Sequence, residues 1–197
     1  MNTARLMRTG AVKALTYGQA VTGVPNSTFL AQRRAVAAAT APAAGARGQC
    51  LDMALVLADG KMSGRADPAF DAHMLPIGQW AQAIWHEWLP RKTLDKVVAK
   101  TLGAVRLLQP CQVWKQVKGP AAAMIASAKR LGWTIVDASH VVTDQNVSLD
   151  FRSDSPVVVE SMVHEAVQRW RWARVMIKHK HLENQSWQVQ FEQVQKV

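Results

Sequence analysis

Apolar residues recur at steps of three and four along most of the chain, and this pattern predicts a mainly helical protein. The predicted helices cover residues 3–17, 29–42, 50–58, 67–88, 93–107, 120–131 and 157–177. Proline and glycine mark several of their ends. Pro76 stands inside the fourth helix, where we expect it to kink or split the helix because it removes one backbone hydrogen bond.

The stretch 119–133 is the best delimited of these elements, and we expect the C-terminal half to be organised around it. Pro120 suits the first helical turn, where a missing N–H costs nothing, and Gly132 suits a left-handed residue that closes the helix. Apolar residues between them form one stripe, made of Ala121, Met124, Ile125, Ala128 and Leu131.

A β-hairpin is predicted directly after this helix. Residues 134–143 are rich in β-branched side chains, and residues 147–151 alternate apolar with polar side chains. Asp144, Gln145 and Asn146 suit the turn between them, since Asn tolerates a positive φ. The predicted fold class is therefore mainly α, a helical bundle, with one β-hairpin packed between two helices near the C-terminus.

The predicted organisation has three parts. Residues 1–110 form a helical region, and residues 111–177 form an α-β-β-α unit. Residues 178–197 lose periodicity and are rich in Gln, which predicts a frayed or disordered tail. A chain of 197 residues is long enough to bury a substantial core.

The net charge of +10 is spread unevenly along the chain. Residues 1–133 contain 17 Lys or Arg against 6 Asp or Glu, whereas residues 134–169 contain 2 against 6. A basic body with one acidic segment suggests a polyanionic partner for the first two thirds of the chain. The alternative is a soluble protein whose basic charge has no binding role.

One predicted helix carries an unmixed row of lysines. Lys92, Lys96 and Lys100 stand at successive i, i+4 positions, and no carboxylate shares that row. Like charges at this spacing cost a few tenths of a kcal/mol each, so the row favours contact with a phosphate backbone over an ordinary solvated face, although both interpretations stay open. The full set of candidate nucleic-acid contacts is Lys92, Lys96, Lys100, Arg33, Arg34 and Arg106.

Three tryptophans lie close together near the end of the helix at 67–88. Trp80, Trp85 and Trp88 suit base stacking, but burial in the core is the favoured interpretation because helical spacing already accounts for two of them. We also expect this helix to begin at Asp67, with Pro68 in its first turn.

No catalytic residue, metal ligand or cofactor-binding motif is predicted. His86-Glu87 and His164-Glu165 begin a zinc-protease signature, but neither is followed by the second histidine. A small hydrolase that uses either histidine is therefore the remotest hypothesis. We expect no membrane span, because no apolar run approaches about 20 residues, and no secretory signal, which predicts an intracellular protein of the nucleus or cytoplasm.

Several short motifs resemble one known family. Residues 14–23 contain Tyr17-Gly18, Asp67-Pro68 precedes a helix that carries a tryptophan, and residues 119–133 read Gly-Pro through Arg-Leu-Gly-Trp before the hairpin and Ser155-Pro156. Together they resemble the thumb and connection region of reverse transcriptases from non-LTR (LINE-type) retrotransposons, particularly the diverged elements of dinoflagellates. The resemblance spans residues 4 to about 175.

The resemblance implies a thumb-like region that grips an RNA or DNA duplex through basic helices. Catalysis would then lie in polymerase and nuclease domains of a longer parent polyprotein, because polymerase chemistry needs paired aspartates for two metal ions and no Asp-Asp dipeptide occurs here. A non-catalytic nucleic-acid-binding fragment is therefore the leading hypothesis. The alternative is a helical scaffold or protein-interaction module with incidental basic charge.

Overall fold

The computed structural model describes residues 7–40, 51–59, 66–106 and 108–178. These residues are predominantly helical and include a small antiparallel sheet, so the predicted mainly α fold class is confirmed. The predicted tail lies outside the described residues from 179 onward.

The helices follow one another in chain order. After a π-helical turn at Met7–Ala11 come α1 (Val12–Leu15), α2 (Gln19–Thr22), α3 (Asn26–Thr40), α4 (Leu51–Asp59), α5 (Ala69–Trp85), α6 (Arg91–Val105), α7 (Pro110–Val113), α8 (Pro120–Arg130) and α9 (Pro156–Lys178). A 3-10 turn at Trp114–Gln116 separates α7 from α8. The strands β1 (Thr134–Ile135), β2 (His140–Val142) and β3 (Ser148–Asp150) lie between α8 and α9.

The chain forms two compact units, each assembled from separate stretches. Of the described residues, the first unit contains 7–16, 29–40, 51–59, 66–69 and 168–178. The second unit contains Tyr17–Thr28 and Phe70–Val167. The domain boundary that we predicted at residue 110 lies inside the second unit, so the sequence order of the elements does not follow the compact units.

Small apolar clusters form the core of the first unit. One consists of Val12, Val36, Ala37, Ala54 and Leu55, and another of Val56, Trp172 and Val175. Each cluster contains two valines. The first adds two alanines and Leu55, whereas the second adds the large side chain of Trp172.

A group of five charged residues also belongs to the first unit, and we call it the Arg33 cluster. Four of them, Arg33, Asp52, Asp67 and Arg171, are buried, and Arg174 is 42% exposed. Asp67 accepts hydrogen bonds from Nε and Nη2 of Arg33 at 2.9 and 2.8 Å, and it lies 3.0 Å from Nε of Arg171. Asp52 accepts from Nη1 of Arg33 at 2.7 Å and from Nε of Arg174 at 3.2 Å. Two buried carboxylates therefore share three guanidinium groups, of which those of Arg33 and Arg171 are also buried.

Aromatic rings and a helix end complete the Arg33 cluster. The guanidinium carbons of Arg33 and Arg174 lie 5.2 and 5.0 Å from the centre of the Trp170 ring, within the range of a cation–π contact. Oδ1 of Asp67 also accepts the backbone N–H of Ala69 at 2.9 Å, as an N-cap residue does. The predicted helix start at Asp67 is therefore confirmed.

Helix α8 is the centre of the second unit, as its punctuation predicted. Its residues from Ala121 to Ala128 are all buried, and α2, α6, α7 and β1 pack against it. Gly132 has φ +82° just beyond its end, so the left-handed closing residue is confirmed. The burial extends beyond the predicted stripe because α8 contacts neighbours on several sides.

The three strands form one antiparallel sheet in the order β1-β2-β3. Val141 is the partner of Ile135 on one side and of Leu149 on the other, and all three side chains are buried. The predicted turn at residues 144–146 joins β2 to β3, with Asn146 at φ +59°. The second half of the predicted hairpin is therefore confirmed.

The predicted first strand, residues 134–143, is not continuous, and this part of the prediction was wrong. Asp137 interrupts it, because its Oδ1 accepts the backbone N–H groups of Ser139 and His140 at 2.7 and 2.8 Å. Such local side-chain bonds compete with strand pairing and here close a turn. The chain folds back at this turn, so one long strand becomes β1 and β2.

Helix α5 differs from its prediction at two of its tryptophans. It continues through Pro76 and is not split there. Trp80 is buried and its Nε1 donates to the carbonyl of Ala138 at 2.8 Å, but Trp85 and Trp88 are 39% and 56% exposed. The core interpretation therefore holds for Trp80 and is wrong for the other two.

Candidate nucleic-acid interface

The three predicted lysines form an exposed row on α6. Lys92, Lys96 and Lys100 are all exposed, and the rise of an α-helix separates successive members by about 6 Å along the axis. Among the described residues, no carboxylate is ion-paired with any of the three. Asp95 instead forms an i, i+4 ion pair with Arg91 at 3.5 Å, and neither residue belongs to the lysine row.

The apolar face of α6 explains why the lysines point outward. Leu94, Val98 and Val105 are buried, and the main packing partner of α6 is α8. At about 100° per residue the lysine row falls on the opposite side of the helix. Val97, in the same helix, is 43% exposed.

The predicted arginines divide into two exposed residues and one buried residue. Arg106 is exposed just beyond the last residue of α6, where a cation is favourable next to the helix C-terminus. Arg34 is exposed in the first unit. Arg33 has only 1% of its side chain exposed and binds Asp52 and Asp67, so its assignment as a phosphate contact is corrected.

Burial and ion pairing oppose each other in the Arg33 cluster. Burial alone lowers the pKa of Arg33, but the carboxylates of Asp67 and Asp52 outweigh it and raise that pKa above its ordinary value. Burial alone raises the pKa of Asp67, but Arg33 and Arg171 outweigh it and lower that pKa. These groups stay ionised and bound to one another, which is a structural role.

A cavity of about 500 Å³ flanks the start of the lysine row. It lies where α5 ends and α6 begins, and its lining residues are Ile84, Trp85, Glu87, Leu89, Pro90, Arg91, Leu94, Asp95, Ala138 and Arg152. The volume is within the range of small-molecule sites. The lining combines aliphatic and aromatic surface with two arginines and two carboxylates.

Exposed aromatic side chains lie next to this cavity. Trp85 lines it, and Trp88 stacks on the ring of His86 with centroids 6.4 Å apart and an interplanar angle of 14°. Trp85 is the last residue of α5, and Trp88 follows Glu87, whose φ of +50° does not continue a helix. Both indole rings are exposed shortly before α6 begins at Arg91.

The metal-ligating residue types and the two histidines of the hydrolase hypothesis can be located in the part of the chain that the structure describes. No group of three or more His, Cys, Asp or Glu among these residues is placed to hold a metal ion. His86 contacts Trp88, and His164 stacks on Phe70 with ring centroids 4.7 Å apart. The two histidines of the hydrolase hypothesis are therefore packed on aromatic rings.

Sequence reasoning missed some residues of this region. Trp85 and Trp88 carried a signal, but helical spacing assigned them to the core. Trp88 follows the left-handed Glu87, which was not foreseen, and Trp85 is exposed although it lies within α5. Arg152 follows β3 and reaches the cavity only through the fold of the sheet, so no local pattern indicated it.

Comparisons with protein-family models, with curated proteins and with solved structures found no match to this chain. Within the described residues, no helix has both the length and the apolar character that crossing a membrane requires.

Proposed function

We propose that this protein binds an RNA or DNA duplex, without catalysing a reaction itself, through the lysine row of α6. The observation that carries the proposal is the row of Lys92, Lys96 and Lys100, which is exposed on a packed helix and has no ion-paired carboxylate among the described residues. A solvated surface normally mixes charges of both signs, and an unmixed row costs helix stability. Contact with phosphates offsets that cost.

The spacing of the row suits a nucleic-acid backbone. Each lysine is about 6 Å from the next along the helix axis, so three successive phosphates of one strand match the three ammonium groups. Every phosphate that is neutralised releases condensed counterions, which supplies sequence-independent affinity. Arg106 extends the positive charge beyond the end of the helix.

The aromatic side chains add a second type of contact. Trp85 and Trp88 have exposed rings beside the row, and base–aromatic stacking contributes about 1–3 kcal/mol per base. Arg91 and Arg152 line the adjacent cavity and add positive charge there. An end of a duplex, where a base is open, meets both the stacking surface and the lysine row.

The resemblance to a retrotransposon reverse transcriptase assigns the same role to these helices. In that assignment the chain is a thumb-like fragment that grips template–primer duplex, and the polymerase and nuclease domains are separate parts of a longer protein. It rests on the short sequence motifs around Tyr17-Gly18, Asp67-Pro68 and residues 119–133. The lysine row supports duplex binding independently of that assignment.

The test replaces Lys92, Lys96 and Lys100 together by glutamine. Duplex affinity should fall almost uniformly across sequences, and the slope of log K against log salt should become shallower by about two to three units because three phosphate contacts are lost. Fluorescence anisotropy at several salt concentrations measures both. Helix content by circular dichroism should stay level or rise slightly, since like-charge repulsion is removed.

A matched variant separates the row from net charge. Replacing the exposed Lys13, Lys115 and Lys118 by glutamine removes the same number of charges from dispersed positions. It should change the salt slope by less than one unit. Equal slopes for the parent and the α6 variant would contradict the proposal.

The second candidate function is a scaffold or protein-interaction module. It is favoured by the apolar side chains exposed on and beside α6, namely Trp85, Trp88, Leu89 and Val97. If the α6 variant binds duplex as tightly as the parent, the lysines are a solvated face and this second function replaces the first.

A further inference from the structure

The cavity beside the start of α6 has a carboxylate in its lining that duplex binding does not use. Its volume is about 500 Å³, within the range of about 300–1,000 Å³ for small-molecule sites. Its described lining residues all belong to the second unit. Trp85 supplies an aromatic face, and Ile84, Leu94 and Ala138 supply buried aliphatic surface. The cavity therefore suits a flat ligand that is partly apolar.

The four charged residues of the lining divide into one ion pair and two single groups. Arg91 and Asp95 bind each other at 3.5 Å. The side chains of Glu87 and Arg152 have no hydrogen-bond or ion-pair partner among the described residues. Glu87 follows the end of α5, and Arg152 follows β3, so the two groups reach the cavity from different elements. The cavity therefore offers one carboxylate and one guanidinium group to a ligand.

The backbone of Glu87 indicates that its side chain has a role other than folding. Its N–H donates to the carbonyl of Ile84 at 3.1 Å, and the N–H of Trp88 donates to the carbonyl of Ala83 at 3.0 Å, which is the hydrogen-bond pair of a Schellman motif. Glycine is the usual residue at the left-handed position of this motif, because a side chain there is strained. Glu87 occupies it at φ +50°. Strained residues of this kind are concentrated at ligand sites.

Guanine is the planar base whose hydrogen-bonding groups match this lining. An ionised carboxylate only accepts hydrogen bonds, through two adjacent oxygens. Guanine presents two adjacent donors, N1–H and the N2 amino group, whereas adenine, cytosine and uracil place an acceptor beside each donor on the same edge. Arginine binds O6 and N7 of guanine through two N–H groups. A base that stacks on Trp85 therefore finds acceptors in Glu87 and donors in Arg152.

We propose that this cavity binds a guanine base, stacked on Trp85, with its N1–H and N2 amino group at the carboxylate of Glu87 and its O6 and N7 at the guanidinium of Arg152. The base has two sources, an unpaired guanine at the end of a strand or a free guanine nucleotide. The strand source rests on the proposed duplex binding, because the lysine row of α6 begins beside the cavity. The free-nucleotide source does not depend on it.

The first experiment titrates guanosine, inosine and adenosine monophosphate into the full chain by calorimetry. All three carry the same ribose phosphate, so the ratios of their dissociation constants report the base alone. Adenosine monophosphate should bind about 5- to 100-fold more weakly than guanosine monophosphate, because it lacks the N1–H donor and the O6 acceptor. Inosine monophosphate lacks only the N2 amino group and should bind with intermediate affinity.

Two variants of Glu87 separate ligand binding from a structural role. Glu87→Gln removes the charge and one acceptor, so the affinities for the guanine and adenine nucleotides should become equal within about twofold. Glu87→Gly should have the same effect and should raise the melting temperature by about 2–4 °C, since glycine relieves the strain at φ +50°. A structural Glu87 would instead leave the ratio unchanged and lower the melting temperature on substitution. The control is Glu165→Gln, an exposed glutamate outside the cavity, which should keep the ratio of the parent.

The second experiment compares, by anisotropy, duplexes that end in one unpaired guanine or one unpaired adenine. A preference for guanine that Glu87→Gln removes supports the strand end, and equal binding of the two duplexes, together with a preference for the guanine nucleotide, supports the free compound. The α6 lysine variant should keep the nucleotide preference even where it loses duplex binding, so failure of the proposed function is distinguishable from failure of this inference. The inference is overturned if no nucleotide binds at millimolar concentration, if the guanine and adenine nucleotides bind equally to the parent, or if Glu87→Gln keeps the ratio of the parent.

Discussion

The Arg33 cluster leads to the sharpest stability prediction, which concerns Asp67→Asn. The carboxylate of Asp67 is completely buried, accepts two donors of Arg33, lies 3.0 Å from Arg171 and caps α5 through the N–H of Ala69. Asparagine keeps the size of the side chain but removes its charge and one of its acceptor oxygens. The substitution therefore leaves Arg33 and Arg171 buried with Asp52 as the remaining carboxylate of the cluster.

The magnitude follows from this uncompensated charge. Removing one partner of a buried ion pair costs about 3–5 kcal/mol, against a total free energy of unfolding of about 5–15 kcal/mol for a typical domain. For a chain of this length each kcal/mol lowers the melting temperature by about 2–4 °C. We expect a decrease of roughly 6–20 °C for Asp67→Asn.

The assay is thermal unfolding followed by circular dichroism at several pH values. Because folding lowers the pKa of Asp67, its stabilisation is complete above the unfolded pKa of 3.8 and is lost as the pH falls from there through the folded pKa. The difference between parent and variant should therefore be large at neutral pH and should shrink below pH 3.8.

The control is Asp95→Asn, the same chemical change at an exposed pair. Asp95 is 42% exposed and lies 3.5 Å from Arg91, so its loss should cost at most about 1 kcal/mol. If Asp67→Asn melts within the range of this control, the Arg33 cluster is not the organising contact of the first unit. A difference that persists at low pH would show that the substitution acts through packing and not through charge.

Two further predictions follow from the backbone. Gly23→Ala should destabilise the protein by about 1–3 kcal/mol, because Gly23 has φ +60° and a Cβ there would lie 2.7 Å from Cζ3 of Trp114. The control is Gly103→Ala at an exposed position of α6, which should stabilise the protein by about 0.5–1 kcal/mol. Thermal unfolding measures both changes. Burial alone raises the pKa of Asp137, but hydrogen bonds from the backbone amides of Ser139 and His140 outweigh it and lower the pKa to about 2. The ionised carboxylate therefore stabilises the turn fully above pH 3.8, and this stabilisation is lost as the pH falls toward 2. Amide exchange of Ser139 and His140 should be faster in Asp137→Asn than in the parent at neutral pH, and equal rates would refute the role of the carboxylate.

The elements that were predicted best from the sequence are those defined by residues within or next to the element itself. Pro120 and Gly132 stand at the ends of α8, and Asn146 stands in the turn that it forms. In each case the conformational preference of one residue decides the local backbone. The lysine row of α6 was predictable for the same reason, since helical spacing alone places its members on one side.

The failures involve partners that are distant in sequence. Arg33 and Arg34 are indistinguishable by pattern, yet Arg33 is buried because Asp52 and Asp67, 19 and 34 residues away, form a site for its guanidinium. Val97 satisfies an apolar period, yet no neighbour covers it enough to bury it. Burial of a polar residue or exposure of an apolar one depends on tertiary contacts, which periodicity does not contain.

In the acidic segment 134–169, several carboxylates accept hydrogen bonds from groups nearby in the chain. Asp137 holds a turn, Asp144 accepts from the Trp133 indole at 3.1 Å, and Oδ2 of Asp154 accepts the N–H of Asp150 at 2.8 Å. These carboxylates are used in turns next to their own positions in the chain. Asp137 and Asp150 also both contact His140, with carboxylate oxygens 2.8 Å from its Nδ1 and 3.3 Å from its Nε2.

The net charge of +10 also has to be divided into charges that are engaged in contacts within the protein and charges that a partner can reach. Three arginines, Arg33, Arg171 and Arg174, are bound to carboxylates in the Arg33 cluster, and the buried Arg33 and Arg171 are not accessible to an external anion. The charge that is available to a partner is the part that remains exposed and without an ion-paired carboxylate among the described residues. On α6 these accessible charges are Lys92, Lys96 and Lys100, which stand four residues apart in one row. Their regular spacing, more than their number, favours a regularly repeating polyanion as the partner.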